Sequence, residues 1–391
     1  MKTIRDYDLR GKRVIIRCDL NVPVSDNVIT DDTRILASLK SINYLIEHNA
    51  KVIILSHLGK VKTVEDKEKN SLYSVYLKLK ELLNTNVYFS GVTSGNELTE
   101  SVDKLKEKEV LLVENTRYED LDGNKESSCD LELSKYWSSL GDIFINDAYG
   151  TLHRAHASNV GIANILPNGI GFLVEEELDK IDSFLIEETS PFVVVMGGMK
   201  VSDKIKVIDN LITKCDKLLV GGAMSFTFLY SLGYKVNTEY VDMESLDYCK
   251  NLISKYKDKI VLPVDFKVSE SLDSLEYFVK NIDELVETEN GYDIGNNTIL
   301  LFNNLLSSAS RVLINGPVGV FENKLYEEGT KEIYQCLVDN NIKTLIGGGD
   351  SASSVNNLGF AGKFYHVSTG GGATLEYLEG NGLPGLSIIN K

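Results

Sequence analysis

Short apolar runs alternate with longer amphipathic stretches along most of this chain. The runs RVIIRCDL (13–20), KVIILSH (51–57), EVLLVEN (109–115) and DIFINDA (142–148) are rich in β-branched residues and bounded by polar ones, which predicts buried strands. Between them, segments such as TRILASLKSINYLIEH (33–48) repeat apolar residues at the spacing of amphipathic helices. This alternation predicts βαβ units and a parallel sheet.

The alternation stops once, at a charged helical segment, GFLVEEELDKIDSFLIEETSP (171–191), and starts again with PFVVVMGG. A chain of 391 residues also exceeds what one hydrophobic core usually organises. We therefore predict an α/β protein with two Rossmann-like parallel-sheet domains, joined by an interdomain helix and separated by a cleft. Ligands in such sheets bind outside the carboxyl ends of the strands.

Composition narrows the classes of partner. The formal net charge of −16 disfavours nucleic acids and anionic membranes, which need a broad positive field. The N-terminal segment lacks the apolar stretch of a signal peptide, and the five cysteines are scattered without a CxxC pair. These features predict a cytoplasmic protein with reduced thiols.

Arginine is scarce and unevenly placed. Only eight arginines occur among 41 basic residues, and all but Arg311 precede residue 160. Lysine is evidently the default surface cation, so arginine is expected where a planar bidentate donor binds phosphate or carboxylate. We therefore predict an anion-binding site in the first half of the chain.

Four glycine-bearing turns in the second half follow apolar runs: VVVMGGMKVSDKI (193–205), VLINGPVGVFE (312–322), TLIGGGDSASS (344–354) and HVSTGGGATLE (366–376). Glycine lets a ligand approach the backbone, and the exposed amides of a helix start attract anions. Lys200 and Lys204 follow the first turn, and Asp350 lies in the third. Cations with one carboxylate are what a nucleotide carrying Mg²⁺ requires.

The common nucleotide motifs are absent. None of the three Gly-Lys pairs has the earlier glycine of a P-loop, and the one GxGxxG match, at 380–385, follows a helix rather than a strand. The string HRAH (153–156) could suggest a metal site, but no further His or Cys supports it and Arg154 would repel a cation. His156 fits a packed or capping residue equally well.

The chain resembles the phosphoglycerate kinase family in nine strings that occur in the family's order: RCDLNVP (17–23), TDDTRI (30–35), SHLGK (56–60), LLVENTRY (111–118), NDAYGTLHRAHAS (146–158), GGMKVSDKI (197–205), NGPVGVFE (315–322), GGGDS (347–351) and STGGGATLEYLEG (368–380). The resemblance implies a glycolytic and gluconeogenic ATP:3-phosphoglycerate phosphotransferase, usually monomeric. It transfers the acyl phosphate of 1,3-bisphosphoglycerate directly and in line to MgADP, with hinge closure.

The resemblance also implies domains. Residues 1–170 with 378–391 would form the N-terminal 3-phosphoglycerate domain, 171–187 the linking helix, and 188–377 the C-terminal nucleotide domain. The residues implied to bind the glycerate phosphates are Arg17, Asp19, Asn21, Arg34, His57, Lys60, Arg117, His153 and Arg154.

In the second domain the resemblance assigns nucleotide and Mg²⁺ binding. The nucleotide residues implied are Gly198, Lys200, Lys204, Gly222, Gly291, Asn315, Pro317, Glu322, Gly348, Gly349, Asp350 and Ser351, with Asp350 as the metal ligand. The catalytic residues implied are Arg34, Lys200, Lys204, Gly349 and Gly372.

Three positions depart from the family pattern. Lys60 replaces a usual arginine, which exchanges a bidentate fork for a point charge. Met199 replaces an alanine, and Tyr292 replaces a leucine beside the adenine site, so the base preference stays open. Two other classes stay open as well: another sugar-phosphate kinase or dinucleotide enzyme on the same fold, and a phosphate-binding descendant that has lost catalysis.

Overall fold

The computed structural model describes residues 1–389. They form two compact units, Met1–Lys180 together with the chain from Gly382, and Ile181–Asn381. Each unit is built on a six-stranded parallel sheet, so the predicted class of two parallel-sheet α/β domains is confirmed. The exact boundaries given above stay a prediction.

The first unit carries its parallel sheet in the order β5-β6-β4-β1-β7-β8, with β2 and β3 as a separate two-stranded hairpin. Its strands are β1 (Arg13–Cys18), β2 (Val24–Ser25), β3 (Val28–Ile29), β4 (Lys51–Leu55), β5 (Val87–Ser90), β6 (Val110–Val113), β7 (Ile143–Asp147) and β8 (Asn168–Ile170). Its helices are α1 (Thr33–Glu47), α2 (Val64–Lys69), α3 (Tyr73–Leu82), α4 (Asn96–Lys104), α5 (Leu131–Ser139) and the start of α6 (Phe172–Ile186).

Successive residues of the central strands face opposite sides of this sheet. Val14 and Ile16 of β1 belong to one hydrophobic cluster, which includes Ile42 of α1, whereas Ile15 belongs to the other, with Trp137 of α5. Both faces are covered by helices, so the strands are apolar throughout rather than alternating with polar residues. This burial explains why the sequence pattern identified these strands.

The second unit has the sheet order β11-β10-β9-β15-β16-β17, and a hydrophobic cluster joins one face of this sheet to the covering helices. Its strands are β9 (Phe192–Met196), β10 (Lys217–Val220), β11 (Ile260–Val261), β12 (Asp265–Ser269), β13 (Phe278–Asn281), β14 (Asn290–Ile294), β15 (Arg311–Asn315), β16 (Lys343–Gly347) and β17 (His366–Val367). Its helices are α7 (Ile205–Ile212), α8 (Met224–Ser231), α9 (Leu246–Lys255), α10 (Asn296–Leu306), α11 (Glu328–Asp339), α12 (Gly349–Asn357) and α13 (Gly372–Leu378).

A third sheet, β13-β12-β14, is antiparallel and was not predicted. Its edge strand β13 reads FVKN and is mostly exposed, and the pairing of β12 with β14 shifts register between Lys267 and Val268. Short strands with mixed polarity and an irregular register give no period-two pattern, so the sequence contained little signal for them.

The chain returns to the first unit through α14 (Pro384–Ser387), where the Gly385 amide donates to the Leu152 carbonyl at 2.8 Å. Across residues 1–389, the structure contains no helix with the length and apolar character needed to cross a bilayer.

Candidate active site

The polar residues predicted in the first unit follow the carboxyl ends of four neighbouring strands. Arg17 is the second-last residue of β1, His57 and Lys60 follow β4, Arg117 follows β6, and the string containing His153 follows β7. Strands β6, β4, β1 and β7 are adjacent and parallel, so these residues collect at one edge of the sheet. This is where ligands bind in open α/β sheets.

Two ionic and polar contacts organise the loop after β1. Arg34, in the first turn of α1, lies 2.5 Å from the Asp19 carboxylate, and its side chain is 38% exposed. Asn21 accepts a hydrogen bond from the Gly59 amide at 2.8 Å, which ties this loop to the one after β4. Arg34 therefore has a fixed anchor and an exposed guanidinium.

Arg17 and His57 form a buried pair beside these loops. The Arg17 Nη2 lies 3.1 Å from His57 Nδ1, and both residues are buried. Burial, together with the charges of Arg17, Arg117 and Arg154, holds the pKa of His57 well below its usual value. His57 is therefore neutral at physiological pH.

The remaining predicted residues of the first unit differ in exposure. Arg117 contacts Asp120 at 2.8 Å and also Ser127, whereas its buried Nε has no partner in the described part of the chain. Arg154 Nε donates to His153 Nε2 at 3.0 Å, and burial with the Arg154 charge lowers the pKa of His153 to about 4. Lys60 is exposed.

In the second unit, three of the turns after parallel strands touch backbone to backbone. A Cβ atom on Gly197 would lie 2.0 Å from the Pro317 carbonyl oxygen, and one on Gly222 would lie 2.6 Å from the Gly198 amide nitrogen. Only glycine permits this approach. The turns after β9, β10 and β15 therefore pack against one another and form one surface, the floor of the site.

Lys204 lies at this floor, where its ammonium donates to the Asn315 side-chain oxygen. Asn315 is fully buried at the end of β15, and its amide nitrogen donates to the Gly347 carbonyl at 3.0 Å. Burial lowers the pKa of Lys204 to about 8, although Asp350 and Asp203 act in the opposite direction. Lys200, four residues earlier, is exposed.

A cavity of about 320 Å³ opens beside this floor. Its lining includes the predicted Gly198, Gly222, Gly291, Pro317, Glu322 and Asp350. Its size is that of a small-molecule site. The predicted nucleotide residues outside its lining are Lys200, Lys204, Asn315, Gly348, Gly349 and Ser351. Asn315 and Ser351 are fully buried, and Ser351 accepts from the Gly316 amide at 2.7 Å.

Two helices that begin at glycines follow neighbouring strands of the sheet. Gly348 and Gly349 begin α12 after β16, and Gly371 and Gly372 begin α13 after β17. Gly348 and Gly371 have φ of +99° and +53°, which glycine adopts without steric cost. No atoms lie within 4 Å of a Cβ built on Gly349 or Gly371, so these positions are open to a ligand.

Comparison with known proteins identifies the family. The phosphoglycerate kinase family model matches residues 4–381. A phosphoglycerate kinase of Fusobacterium nucleatum is 50% identical over 395 aligned residues, and one of Listeria monocytogenes is 50% identical over 391; each alignment covers 100% of this chain and 99% of the relative. The chain belongs to the phosphoglycerate kinase family.

Solved structures agree with this family assignment. The structure of phosphoglycerate kinase from Coxiella burnetii matches with a TM-score of 0.85 at 34% identity, covering 99% of this chain and 98% of that one. The enzyme from Pyrococcus horikoshii OT3 matches with a TM-score of 0.86 at 30% identity, covering 100% and 98%. The predicted resemblance to this family of kinases is confirmed.

Two of the departures from the phosphoglycerate kinase pattern line the cavity. Met199 is 63% exposed at its edge, and Tyr292 lies in its wall with the ring centroid 5.1 Å from that of Tyr326. Tyr240, Leu272 and Phe321 also line the cavity and were not predicted from the sequence. Tyr240 and Leu272 lie outside the family strings quoted above, whereas Phe321 lies within NGPVGVFE (315–322), where it is one apolar residue among several.

A buried charge cluster lies behind the cavity wall and was not predicted from the sequence. Lys267 of β12 is 1% exposed and lies 3.3 Å from the Asp293 carboxylate and 2.5 Å from that of Glu328. Burial alone would lower the pKa of Lys267, but the two carboxylates outweigh it and raise this pKa. Asp293 directly follows Tyr292 and accepts from the Gly329 amide at 2.8 Å. The cluster therefore joins the antiparallel sheet to the start of α11.

Proposed function

We propose that this chain catalyses the reversible transfer of the acyl phosphate of 1,3-bisphosphoglycerate to MgADP, giving 3-phosphoglycerate and ATP. The observation that carries the proposal is the position of Lys204: its ammonium donates to buried Asn315, the Asp350 carboxylate acts on its charge, and its Cε lies 3.5 Å from a Cβ built on Gly198, in the wall of a cavity of about 320 Å³. A fixed cation beside a nucleotide-sized cavity is the arrangement that phosphoryl transfer needs. Membership of the family supplies the substrates.

The acid substrate binds in the first unit under this proposal. A three-carbon acid with one or two phosphates carries several negative charges, and four arginines are available to meet them: Arg17 in β1, Arg34 in α1, Arg117 after β6 and Arg154 after β7. Arg34 and Arg154 are exposed enough to bind the anion, and the unpartnered Arg117 Nε is a further donor. Arg17 is buried and has little surface available to the substrate, so it acts through its contact with His57.

The nucleotide occupies the cavity of the second unit. Tyr240 and Tyr292 of the lining offer apolar surface to the base, and Glu322 offers a carboxylate to the ribose hydroxyls. The phosphates then lie near Gly198 and Asp350, since the Lys204 side chain approaches Gly198 and Lys200 is two residues from it along the chain. Stacking of the base and close contact of the nucleotide with backbone atoms, rather than a charged pocket, define this site.

The metal would be held by Asp350. Within residues 1–389 no group of three or more His, Cys, Asp and Glu side chains is placed to hold a metal by itself. A single exposed carboxylate fits Mg²⁺ that takes its other ligands from nucleotide phosphates and water. Bound Mg²⁺ would supply charge neutralisation on those phosphates.

Catalysis follows from positioning and charge. The acceptor, a carboxylate or a nucleotide phosphate, is already ionised, so no general base is required. Lys204 and Arg34 stabilise the oxygens of the phosphoryl group in flight, and Lys200 neutralises neighbouring phosphates. The amides at Gly349 and Gly372 add donors that need no reorganisation.

The two predicted sites belong to different units, so we propose that closure of a hinge brings them together before transfer. Closure also excludes water from the acyl phosphate. We further propose a cytoplasmic monomer. Small-angle scattering should give a smaller radius of gyration with both substrates bound than without them; an unchanged radius would contradict closure.

A coupled assay tests the function. The protein, 3-phosphoglycerate, MgATP and excess glyceraldehyde-phosphate dehydrogenase with NADH should consume NADH. Omitting either substrate or Mg²⁺ should stop the reaction. A protein that binds nucleotide but consumes no NADH would be a catalytically silent descendant, and turnover only with another acceptor would indicate a different kinase.

The pH profile of kcat/KM for the nucleotide should report Lys204. Because burial lowers its pKa to about 8, the free enzyme loses this positive charge as pH rises through 8, and kcat/KM should fall. Lys204→Arg keeps a charge that does not titrate in this range, so its falling limb should move to higher pH. Lys206→Arg, an exposed neighbour, is the control and should keep the wild-type limb. The same limb in Lys204→Arg would assign it to another group.

A further inference from the structure

A buried carboxylate lies behind the arginine cluster of the first unit. Glu126 is 0% exposed and precedes α5. Its Oε2 accepts from the Ser158 backbone amide at 2.9 Å, and its Oε1 accepts from the Ser158 hydroxyl at 2.5 Å. Burial raises the pKa of Glu126, whereas Arg17 and the two Ser158 hydrogen bonds oppose this shift. Nothing in the proposed chemistry uses this residue directly.

The Ser158 hydroxyl determines which atom donates in its contact with Arg17. Ser158 has one hydroxyl proton and donates it to Glu126, so its oxygen accepts from Arg17 Nε, which lies 3.0 Å away. Arg17 Nη1 donates to the Cys18 carbonyl at 2.5 Å. Two sides of the guanidinium are therefore fixed by the protein, and Arg17 is only 1% exposed.

The third side of the guanidinium faces His57. Arg17 Nη2 lies 3.1 Å from His57 Nδ1. A guanidinium has only donors, so Nδ1 must accept, and the proton of a neutral imidazole must then reside on Nε2. The side-chain hydrogen bond that His57 forms within the described residues is at Nδ1, which leaves the Nε2 N–H to a ligand.

We propose that Glu126, acting through Ser158, is a positioning residue that orients Arg17 and thereby fixes His57 as the neutral tautomer with its proton on Nε2. His57 then donates a hydrogen bond from Nε2 to an oxygen of the acid substrate. The donor role rests on the proposed function, but the tautomer does not.

The charge and the hydroxyl are separately testable. Glu126→Gln keeps the shape, but its amide cannot accept from both the hydroxyl and the backbone N–H of Ser158. Ser158→Ala removes the link while leaving Glu126 in place. Ser158→Thr keeps the hydroxyl and is the rescue variant. Ser138→Ala is the matched control, because Ser138 is a buried serine of the same unit whose hydroxyl donates to the Ser134 carbonyl.

The readout is the ¹⁵N spectrum of the full chain with labelled histidine, without substrate, the His57 signal being assigned by its loss in His57→Gln. The wild type, Ser158→Thr and Ser138→Ala should show neutral His57 with the proton on Nε2 at neutral pH. Ser158→Ala and Glu126→Gln should show a mixture of tautomers. A wild-type proton on Nδ1, or an unchanged tautomer in Ser158→Ala, would overturn the proposal.

Kinetics give an independent second readout. Losing a hydrogen bond to a charged or ligand-bound group should raise KM for 3-phosphoglycerate roughly tenfold in Ser158→Ala, with kcat changed much less. A fall in kcat at unchanged KM would count against a positioning role in binding. If the wild type shows no kinase activity at all, the proposed function fails, while the substrate-free spectra still decide the tautomer.

Discussion

Lys204→Met should lower kcat by about 10² to 10³ in the coupled assay, the usual cost of removing one fixed donor from a charged transition state. The residue is positioned by buried Asn315 and its charge interacts with that of Asp350, so the substitution removes a charge whose place was already set. KM for the nucleotide should change less than kcat, because the cavity walls and Lys200 still hold the ground state.

The free energy of unfolding of Lys204→Met distinguishes a loss of catalysis from misfolding. Burial lowers the pKa of Lys204 in the folded protein to about 8, whereas an unfolded lysine keeps its ordinary value, so the unfolded state binds more protons between these values. Folding is therefore opposed by this group at neutral pH and becomes more favourable as pH rises through 8. Lys204→Met should be at least as stable as the wild type near pH 7.

The control for this substitution is Lys206→Met, an exposed lysine two residues away. It should keep both kcat and the urea midpoint close to the wild-type values. Near-wild-type turnover in Lys204→Met would remove Lys204 from the catalytic role, and a large loss of stability would show that its charge is compensated in the folded protein.

Lys267→Met should lower the free energy of unfolding by about 3 to 5 kcal/mol, because it leaves the buried Asp293 carboxylate without its partner. The buried stem of lysine is similar in size to methionine, so the loss comes from charge rather than from a cavity. Adding Asp293→Asn should recover part of the stability, since the second substitution removes the uncompensated charge.

Urea unfolding followed by far-ultraviolet circular dichroism measures this effect as a lower midpoint. Lys250→Met, an exposed lysine on α9 of the same unit, should change stability by no more than about 0.5 kcal/mol. An equal midpoint for Lys267→Met and the control would show that the buried cluster contributes nothing net. Nucleotide affinity should also weaken in Lys267→Met, because Asp293 adjoins Tyr292 in the cavity wall.

The sequence predicted those parts of the fold whose signal is local. Runs such as that of β1 are apolar because both faces of the sheet are covered, and this leaves a pattern that can be read without partners. The antiparallel sheet left no such pattern, because β13 is exposed and β12 contains a lysine in a fully buried strand. Its strands therefore lack the continuous apolar run that identified the parallel strands.

The same distinction applies to the candidate site. Glycine turns with Lys204 and Asp350 are contiguous strings, so residues and family resemblance both identified them. Glu126 and Lys267 are single charges in unremarkable segments; their partners Ser158 and Asp293 lie 32 and 26 residues further along the chain. Burial and direction of the side chain decide their importance, and neither is visible in a linear pattern. The roles of all site residues stay predictions.

The return of the chain to its first unit has a consequence for biosynthesis. Helix α14 contributes the amide that meets the Leu152 carbonyl, yet it is translated after the entire second unit. A ribosome therefore exposes a nascent first unit that lacks its last helix while the second unit can already complete its own sheet. The half of the protein made first is the half that finishes folding last.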